Sequence, residues 1–270
     1  IKNGDLIKQV HDDYLEAGAD VITSSSYQAT VDGFMKQGLN LELSEKLITS
    51  SVELAVEARD SFIRLGRLSY NRLNPLVAAS VGPYGAYLAD GSEYRGHYAL
   101  SDEELIGFHA GRIKLLHQGK PDLFACETLP SLREAMAILT ALNRLELSTP
   151  LWISFSCRDG NSISEGTSIC ECLDYLNHFD NVVAVGANCI TPALVPELIK
   201  QFREHTDKYV LVYPNSGEIY DPFSKTWSGG AVSFSKKAEI WLEAGAKIIG
   251  GCCRTTPEDI REISEFVRSA

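Results

Sequence analysis

Two spacings of apolar residues alternate along this chain. In longer stretches they recur three and four positions apart, as on one face of an amphipathic helix. Between these lie short unbroken apolar runs that suit strands buried on both faces. A helix over residues 5–17 stops at Gly18-Ala19-Asp20 and feeds the run Val21-Ile22-Thr23. A long helix over 43–64 leads to a strand over 76–81, closed by Gly82-Pro83. The next helix, 101–117, has Ser101 as N-cap with Glu104 in capping-box position, and it precedes a strand over 122–126. Helices over 131–145, 168–179, 192–205, 233–244 and 257–267 then alternate with strands over 151–156, 182–186, 209–213 and 247–249. Thr255 or Thr256 caps the last helix, with Pro257 in its first turn.

Strands joined in this way by helices predict a parallel sheet. A repeated unit is visible: Glu16-Ala17-Gly18-Ala19-Asp20-Val21-Ile22 is echoed by Glu243-Ala244-Gly245-Ala246-Lys247-Ile248-Ile249. In both, a helix ends at glycine and an apolar strand follows. Seven βα units behind a leading helix predict one (β/α)₈ TIM-type barrel over residues 1–270, its first strand lying upstream of Ile1. A doubly wound open sheet is the alternative. Residues 84–98 and 214–230 read as long loops over the barrel mouth.

Composition narrows the function. The net charge is −11 and no Lys/Arg cluster stands out, which argues against nucleic-acid or anionic-membrane binding and is compatible with a cationic substrate. No apolar stretch is long enough to span a membrane, and no leader pattern is visible, although the chain starts at Ile1 rather than Met. The seven cysteines are an odd number in a chain this long, which argues for a reducing, cytoplasmic setting rather than a disulfide framework. The six histidines show no H-x-x-H spacing.

Catalytic groups of a parallel barrel come from the C-terminal ends of its strands. Read there, the chain offers the stretch around Ser24–Tyr27, Glu127-Thr128, Asn188-Cys189, Pro214-Asn215 and Gly251-Cys252-Cys253-Arg254. Cys189, Cys252 and Cys253 would supply three sulfurs to one ion if Gly250-Gly251 breaks the strand, since adjacent strand residues otherwise face opposite ways. Spacing alone leaves buried thiols and metal ligands equally open. Cys126, Cys157, Cys170 and Cys172 read as ordinary thiols.

These motifs resemble a known family. Gly186-Ala187-Asn188-Cys189 and Gly250-Gly251-Cys252-Cys253-Arg254-Thr255-Thr256-Pro257 are similar to the paired zinc motifs of the homocysteine S-methyltransferases. Ser80-Val81-Gly82-Pro83-Tyr84-Gly85-Ala86-Tyr87, running on through Asp90-Gly91-Ser92-Glu93-Tyr94-Arg95-Gly96, resembles the branch using S-methylmethionine or S-adenosylmethionine. So do Ser26-Tyr27-Gln28-Ala29-Thr30, Cys126-Glu127-Thr128-Leu129-Pro130 and Val212-Tyr213-Pro214-Asn215-Ser216-Gly217-Glu218. The family's opening Asp-Gly-Ala/Gly strand has no counterpart in the sequence.

The resemblance implies that Cys189, Cys252 and Cys253 bind Zn²⁺, with the homocysteine sulfur as fourth ligand, and that methionine is formed from a sulfonium donor. It implies that Glu127 holds the homocysteine ammonium, that Thr23 and Ser26 meet its amino-acid end, and that Asn215 binds polar groups of donor or acceptor. Tyr27 is similar to a tyrosine that fills the fourth zinc position in the betaine-dependent branch. Tyr84, Tyr87, Tyr94 and Trp227 could face a sulfonium through cation–π contact. Methyl transfer from betaine or another onium donor, and a non-catalytic zinc-binding barrel, are the alternatives.

Overall fold

Short β-branched runs set between amphipathic helices have one economical arrangement, in which each helix covers the strand it follows. In the computed structural model, which describes residues 3–69, 72–221, 226–230 and 232–269, the chain takes it. The strands are β1 Val21–Thr23, β2 Leu76–Val81, β3 Leu123–Leu129, β4 Leu151–Phe155, β5 Val182–Asn188, β6 Tyr209–Tyr213, β7 Ile219–Asp221, β8 Thr226–Ser228 and β9 Ile248–Ile249. Seven of them form one curled parallel sheet in the order β1-β2-β3-β4-β5-β6-β9. The helices are α1 Gly4–Glu16, α2 Val31–Lys36, α3 Leu41–Arg64, α4 Tyr84–Leu88, α5 Asp102–Gln118, α6 Leu132–Arg144, α7 Ile169–Leu176, α8 Val195–His205, α9 Phe234–Glu243 and α10 Pro257–Ser269. The arrangement is a TIM-type barrel lacking one strand: β1 and β9 are its two edges, and α1 meets α10 across the seam between them.

The expected caps and turns account for several boundaries. Ser101 and Glu104 form a reciprocal capping box at the start of α5. The Thr256 N–H donates to Asp259 Oδ2 at 2.7 Å just ahead of α10. The described parts of the two mouth segments carry secondary structure that their composition does not announce. Residues 84–98 contain α4 and a 3₁₀ turn, Ser92–Tyr94, and residues 214–230 contain the antiparallel pair β7–β8.

Each strand is sorted by the period of two. Outward side chains such as Val77, Phe124, Ile153, Val185 and Val212 join the main core beneath the helices. Inward ones, Ala78, Ala125, Trp152, Ala184 and Leu211, form a small second core inside the barrel. Gly186 sits between Ala184 and Asn188 on this face because a Cβ there would fall 1.8 Å from the Leu211 carbonyl oxygen. Towards the C-terminal ends the inner face turns polar: Ser80, Glu127, Ser154, Asn188 and Tyr213 are linked there by hydrogen bonds.

Candidate active site and metal centre

The three cysteines converge. The sulfurs of Cys189, Cys252 and Cys253 all lie within 4.8 Å of one another, and Cys189 Sγ is 3.6 Å from Cys253 Sγ. Thiolates on one tetrahedral zinc, with Zn–S near 2.3 Å, stand about 3.8 Å apart, so the trio fits such an ion with small side-chain movements. Among the described residues, no fourth Cys, His, Asp or Glu joins this group.

Local backbone explains the convergence. Cys189 leaves β5 at φ 54°, in the left-handed region, and its N–H donates to the Tyr213 carbonyl at 3.2 Å. β9 ends at Ile249, and the Cys252 N–H donates to the Pro214 carbonyl at 2.8 Å, so the cysteine pair lies on a turn rather than on a strand. Gly251 is required there, since a Cβ would approach Thr255 Oγ1 to 2.4 Å. Asn215 accepts the Cys253 N–H at 3.2 Å, and Glu218 grips Arg254 through both carboxylate oxygens at 3.0 and 3.3 Å.

The trio shares its protons unevenly. Hydrogen bonds from Cys189 and then Cys252 hold the Cys253 thiol far down, at about 3. Cys252 is pushed well up, first by its hydrogen bonds to Cys189 and Cys253 and then by burial.

The sulfurs open onto a cavity of about 840 Å³ that runs from the barrel mouth to the seam, where Val10 of α1 and Ile263 of α10 line it. Glu127 lies on its wall. Ser80 donates to Glu127 Oε1 and Tyr213 to Oε2, the latter at 3.1 Å. Burial nevertheless raises the Glu127 carboxyl above its usual range, against the pull of those two donors. Tyr213 also accepts from Trp152 Nε1 at 3.1 Å and meets Ser154 Oγ at 2.5 Å.

The other predicted residues divide. Thr23 and Tyr27 line the cavity, and the Tyr27 hydroxyl is hydrogen-bonded to Thr128. It is Tyr94, expected only as an aromatic face, whose hydroxyl touches a sulfur, 3.1 Å from Cys189 Sγ. Burial pushes both tyrosine hydroxyls well up, so they stay protonated. Ser26 is a correction: it is fully buried, donates to the Ser80 carbonyl at 2.7 Å, and does not line the cavity, whereas Ser24 and Ser25 do. Asn215 turns its Oδ1 to the Cys253 N–H and is not among the residues that line the cavity. Tyr84 and Tyr87 pack against each other and against Phe108 instead of facing the cavity. The Trp227 side chain lies outside the described residues.

Sequence reasoning missed the roles of Ser80, Ser154, Asn188 and Tyr213. Inward parity at the ends of strands would have found them.

The chain matches the family model described as homocysteine S-methyltransferase over residues 1–267. It is 50% identical to homocysteine S-methyltransferase YbgG of Bacillus subtilis, spanning 98% of this chain and 84% of that protein. It is 49% identical to homocysteine S-methyltransferase 1 of Arabidopsis thaliana, over 99% and 85% of the respective chains. The metallated form of the Escherichia coli homocysteine methyltransferase MmuM superposes with a TM-score of 0.88 at 39% identity, covering 98% of this chain and 85% of the other. This chain therefore belongs to the homocysteine S-methyltransferase family.

Proposed function

We propose that the protein moves the methyl group of S-methylmethionine or S-adenosylmethionine to the thiol of L-homocysteine, forming methionine, and that it does so with zinc held by Cys189, Cys252 and Cys253. The observation that carries this reading is the opening of three converging sulfurs onto the same cavity as the Glu127 carboxylate. Soft thiolate donors favour zinc, and three protein ligands leave a position for substrate. When bound, zinc would keep an incoming thiol deprotonated near neutral pH.

The chain's own groups supply the rest. Glu127 receives the homocysteine ammonium, and Ser80 and Tyr213 fix its two oxygens. Thr23 and Tyr27 border the amino-acid end of the substrate. Tyr27, Tyr94, Trp152 and Tyr213 give the cavity an aromatic wall suited to a sulfonium. The mouth segment that carries Tyr94 would help to exclude water and to align donor and acceptor. In-line attack on the methyl carbon breaks its bond to the sulfonium sulfur. The departing thioether is neutral, so the step needs no general acid. Charge is partly neutralised as the sulfurs approach, which favours reaction in a dry pocket.

A single barrel over residues 1–270 would carry the whole reaction. Its free cysteines suit a reducing, cytoplasmic setting. Among the described residues, no helix is long and apolar enough to cross a membrane.

The test is to incubate the zinc-loaded full-length protein with homocysteine and S-methylmethionine, S-adenosylmethionine or betaine, and to measure methionine. Turnover with the sulfonium donors, S-methylmethionine foremost, is expected. Preference for betaine would move the donor assignment. No methionine from any donor at full zinc occupancy would overturn the enzymatic reading.

A further inference from the structure

The register between β3 and β4 slips at the cavity wall. Cys126 pairs with Ile153, and the next pair is Leu129 with Phe155, so Glu127 and Thr128 together face the single residue Ser154. Two residues against one is a β-bulge, a device that re-aims side chains and leaves a backbone group without its ladder partner. Thr128 takes φ 59° within it. A β-branched residue in the left-handed region is strained and persists only when its surroundings hold it there.

One side chain does the holding. Asn188, 1% exposed at the end of β5, accepts the Thr128 N–H at 2.8 Å through Oδ1 and donates to Thr128 Oγ1 at 2.7 Å through Nδ2. The same Oδ1 accepts from Ser154 at 2.8 Å, and Nδ2 also faces Cys252 Sγ at 4.0 Å. Only a carboxamide offers acceptor and donor together at this length. An aspartate would lose the donor and set a charge beside the sulfurs.

We infer that Asn188 is a positioning residue for methyl transfer: it clamps the β3 bulge at Thr128, and the clamped bulge aims the Glu127 carboxylate at the amino-acid end of homocysteine beside the cysteine trio. This rests on the homocysteine-binding role proposed for Glu127. The clamp acts on the acceptor substrate and not on the donor, and it acts through backbone geometry.

The experiment compares wild type, Asn188→Ala, and Asn188→Ala combined with Thr128→Gly. The readouts are zinc content, KM for homocysteine, KM for the sulfonium donor, and kcat. Asn188→Ala is expected to keep its zinc, to raise KM for homocysteine about tenfold, and to leave KM for the donor within about twofold. Glycine takes positive φ without a clamp, so the double variant is expected to regain most of the lost homocysteine affinity. A general loss of packing would not be rescued by a glycine and would not separate the two substrates. If Asn188→Ala does not fold, Asn188→Ser, which keeps a small polar side chain but is too short to hold both the N–H and the hydroxyl of Thr128, is read for the same rise confined to homocysteine. An unchanged KM for homocysteine, an equal rise for both substrates, or no recovery in the double variant would overturn the assignment while wild-type turnover stands. Failure of the wild type to methylate homocysteine would remove the underlying reading, and this assignment with it.

Discussion

The hydroxyl of Tyr94 lies 3.1 Å from the sulfur of Cys189, so the segment that crosses the barrel mouth ends on a member of the cysteine trio. Tyr94 belongs to the 3₁₀ turn after α4, and Ser156 of the barrel donates to the neighbouring Glu93 carbonyl at 3.4 Å. The contact ties the mouth segment to the sulfur: a phenol held protonated would donate to Cys189 wherever bound zinc keeps it a thiolate.

Removing that hydroxyl should therefore affect turnover more than metal retention. Tyr94→Phe keeps the ring in the cavity wall and deletes one hydrogen bond to the Cys189 sulfur, which bound zinc would hold as a thiolate, a contact of about 1.5–3 kcal/mol in that state. A fall in kcat of about tenfold with zinc content unchanged is expected, measured by methionine formation and metal analysis. Unchanged kcat would show that the mouth segment closes without this latch.

The cysteines should fail as a set. Cys252→Ala and Cys253→Ala each leave two sulfurs, too few for a closed tripod, and each is expected to lose zinc and turnover together. An ion that binds only the folded chain stabilises it in proportion to the logarithm of its concentration. A chelator should thus lower the melting temperature of the wild type and leave that of the two variants nearly unmoved. Full turnover by metal-depleted Cys252→Ala would end the zinc mechanism.

How far the sequence carried these features depends on the kind of signal each one leaves. β1, β2 and β6 are plain apolar runs, and their predicted limits coincide with the observed Val21–Thr23, Leu76–Val81 and Tyr209–Tyr213. β3 and β5 run on to Leu129 and Asn188, past the predicted ends, because their final inward residues are polar and an apolar-run criterion stops short of them. α2 and α4, of six and five residues, are too short to show a helical period. Spacing left the cysteine trio open and the motif resemblance singled it out: its members close β5 and β9, which flank β6 in the sheet. Ser26 occupies an equivalent position, yet its hydroxyl is spent on the Ser80 carbonyl, and Asn215 turns its Oδ1 to the Cys253 N–H, which only three-dimensional contacts reveal.

If Glu127 receives the homocysteine ammonium as proposed, its raised carboxyl would make substrate binding sensitive to acid. Its ordinary value is 4.5, and burial lifts it. An ammonium held there would need the ionised form, so protons would compete for it from above the usual carboxylate range. KM for homocysteine should rise on acidification at a higher pH than an exposed glutamate would give. Glu127→Gln removes the charge from a charge-assisted contact of about 1.5–3 kcal/mol, and a ten- to hundredfold higher KM with little remaining pH dependence is expected from steady-state kinetics across pH. A variant that kept the wild-type profile would assign the ammonium to another group.

Beneath the mouth, a buried polar cluster ties the two loops that carry Tyr27 and Tyr84. Arg112, 3% exposed, donates to the carbonyls of Gly82, Ser26 and Tyr27 at 2.9, 3.1 and 2.9 Å. Glu134 accepts the Tyr84 N–H at 2.6 Å and meets His109 Nε2 at 2.9 Å. Burial lowers the His109 pKa below its ordinary 6.5, outweighing the hydrogen bond with Glu134 that raises it. The unfolded chain therefore takes up a proton at His109 at a pH where the folded chain does not. By linkage, stability is lost as pH falls through 6.5 towards the lower folded value, and the loss vanishes well above 6.5. His109→Gln preserves an N–H for Glu134 and removes the titration. Urea midpoints should fall less steeply below pH 6.5 in that variant than in the wild type. Its stability at neutral pH should be lower by about 1–2 kcal/mol, from the altered packing. Parallel pH profiles for the two proteins would place the acid sensitivity elsewhere in the fold.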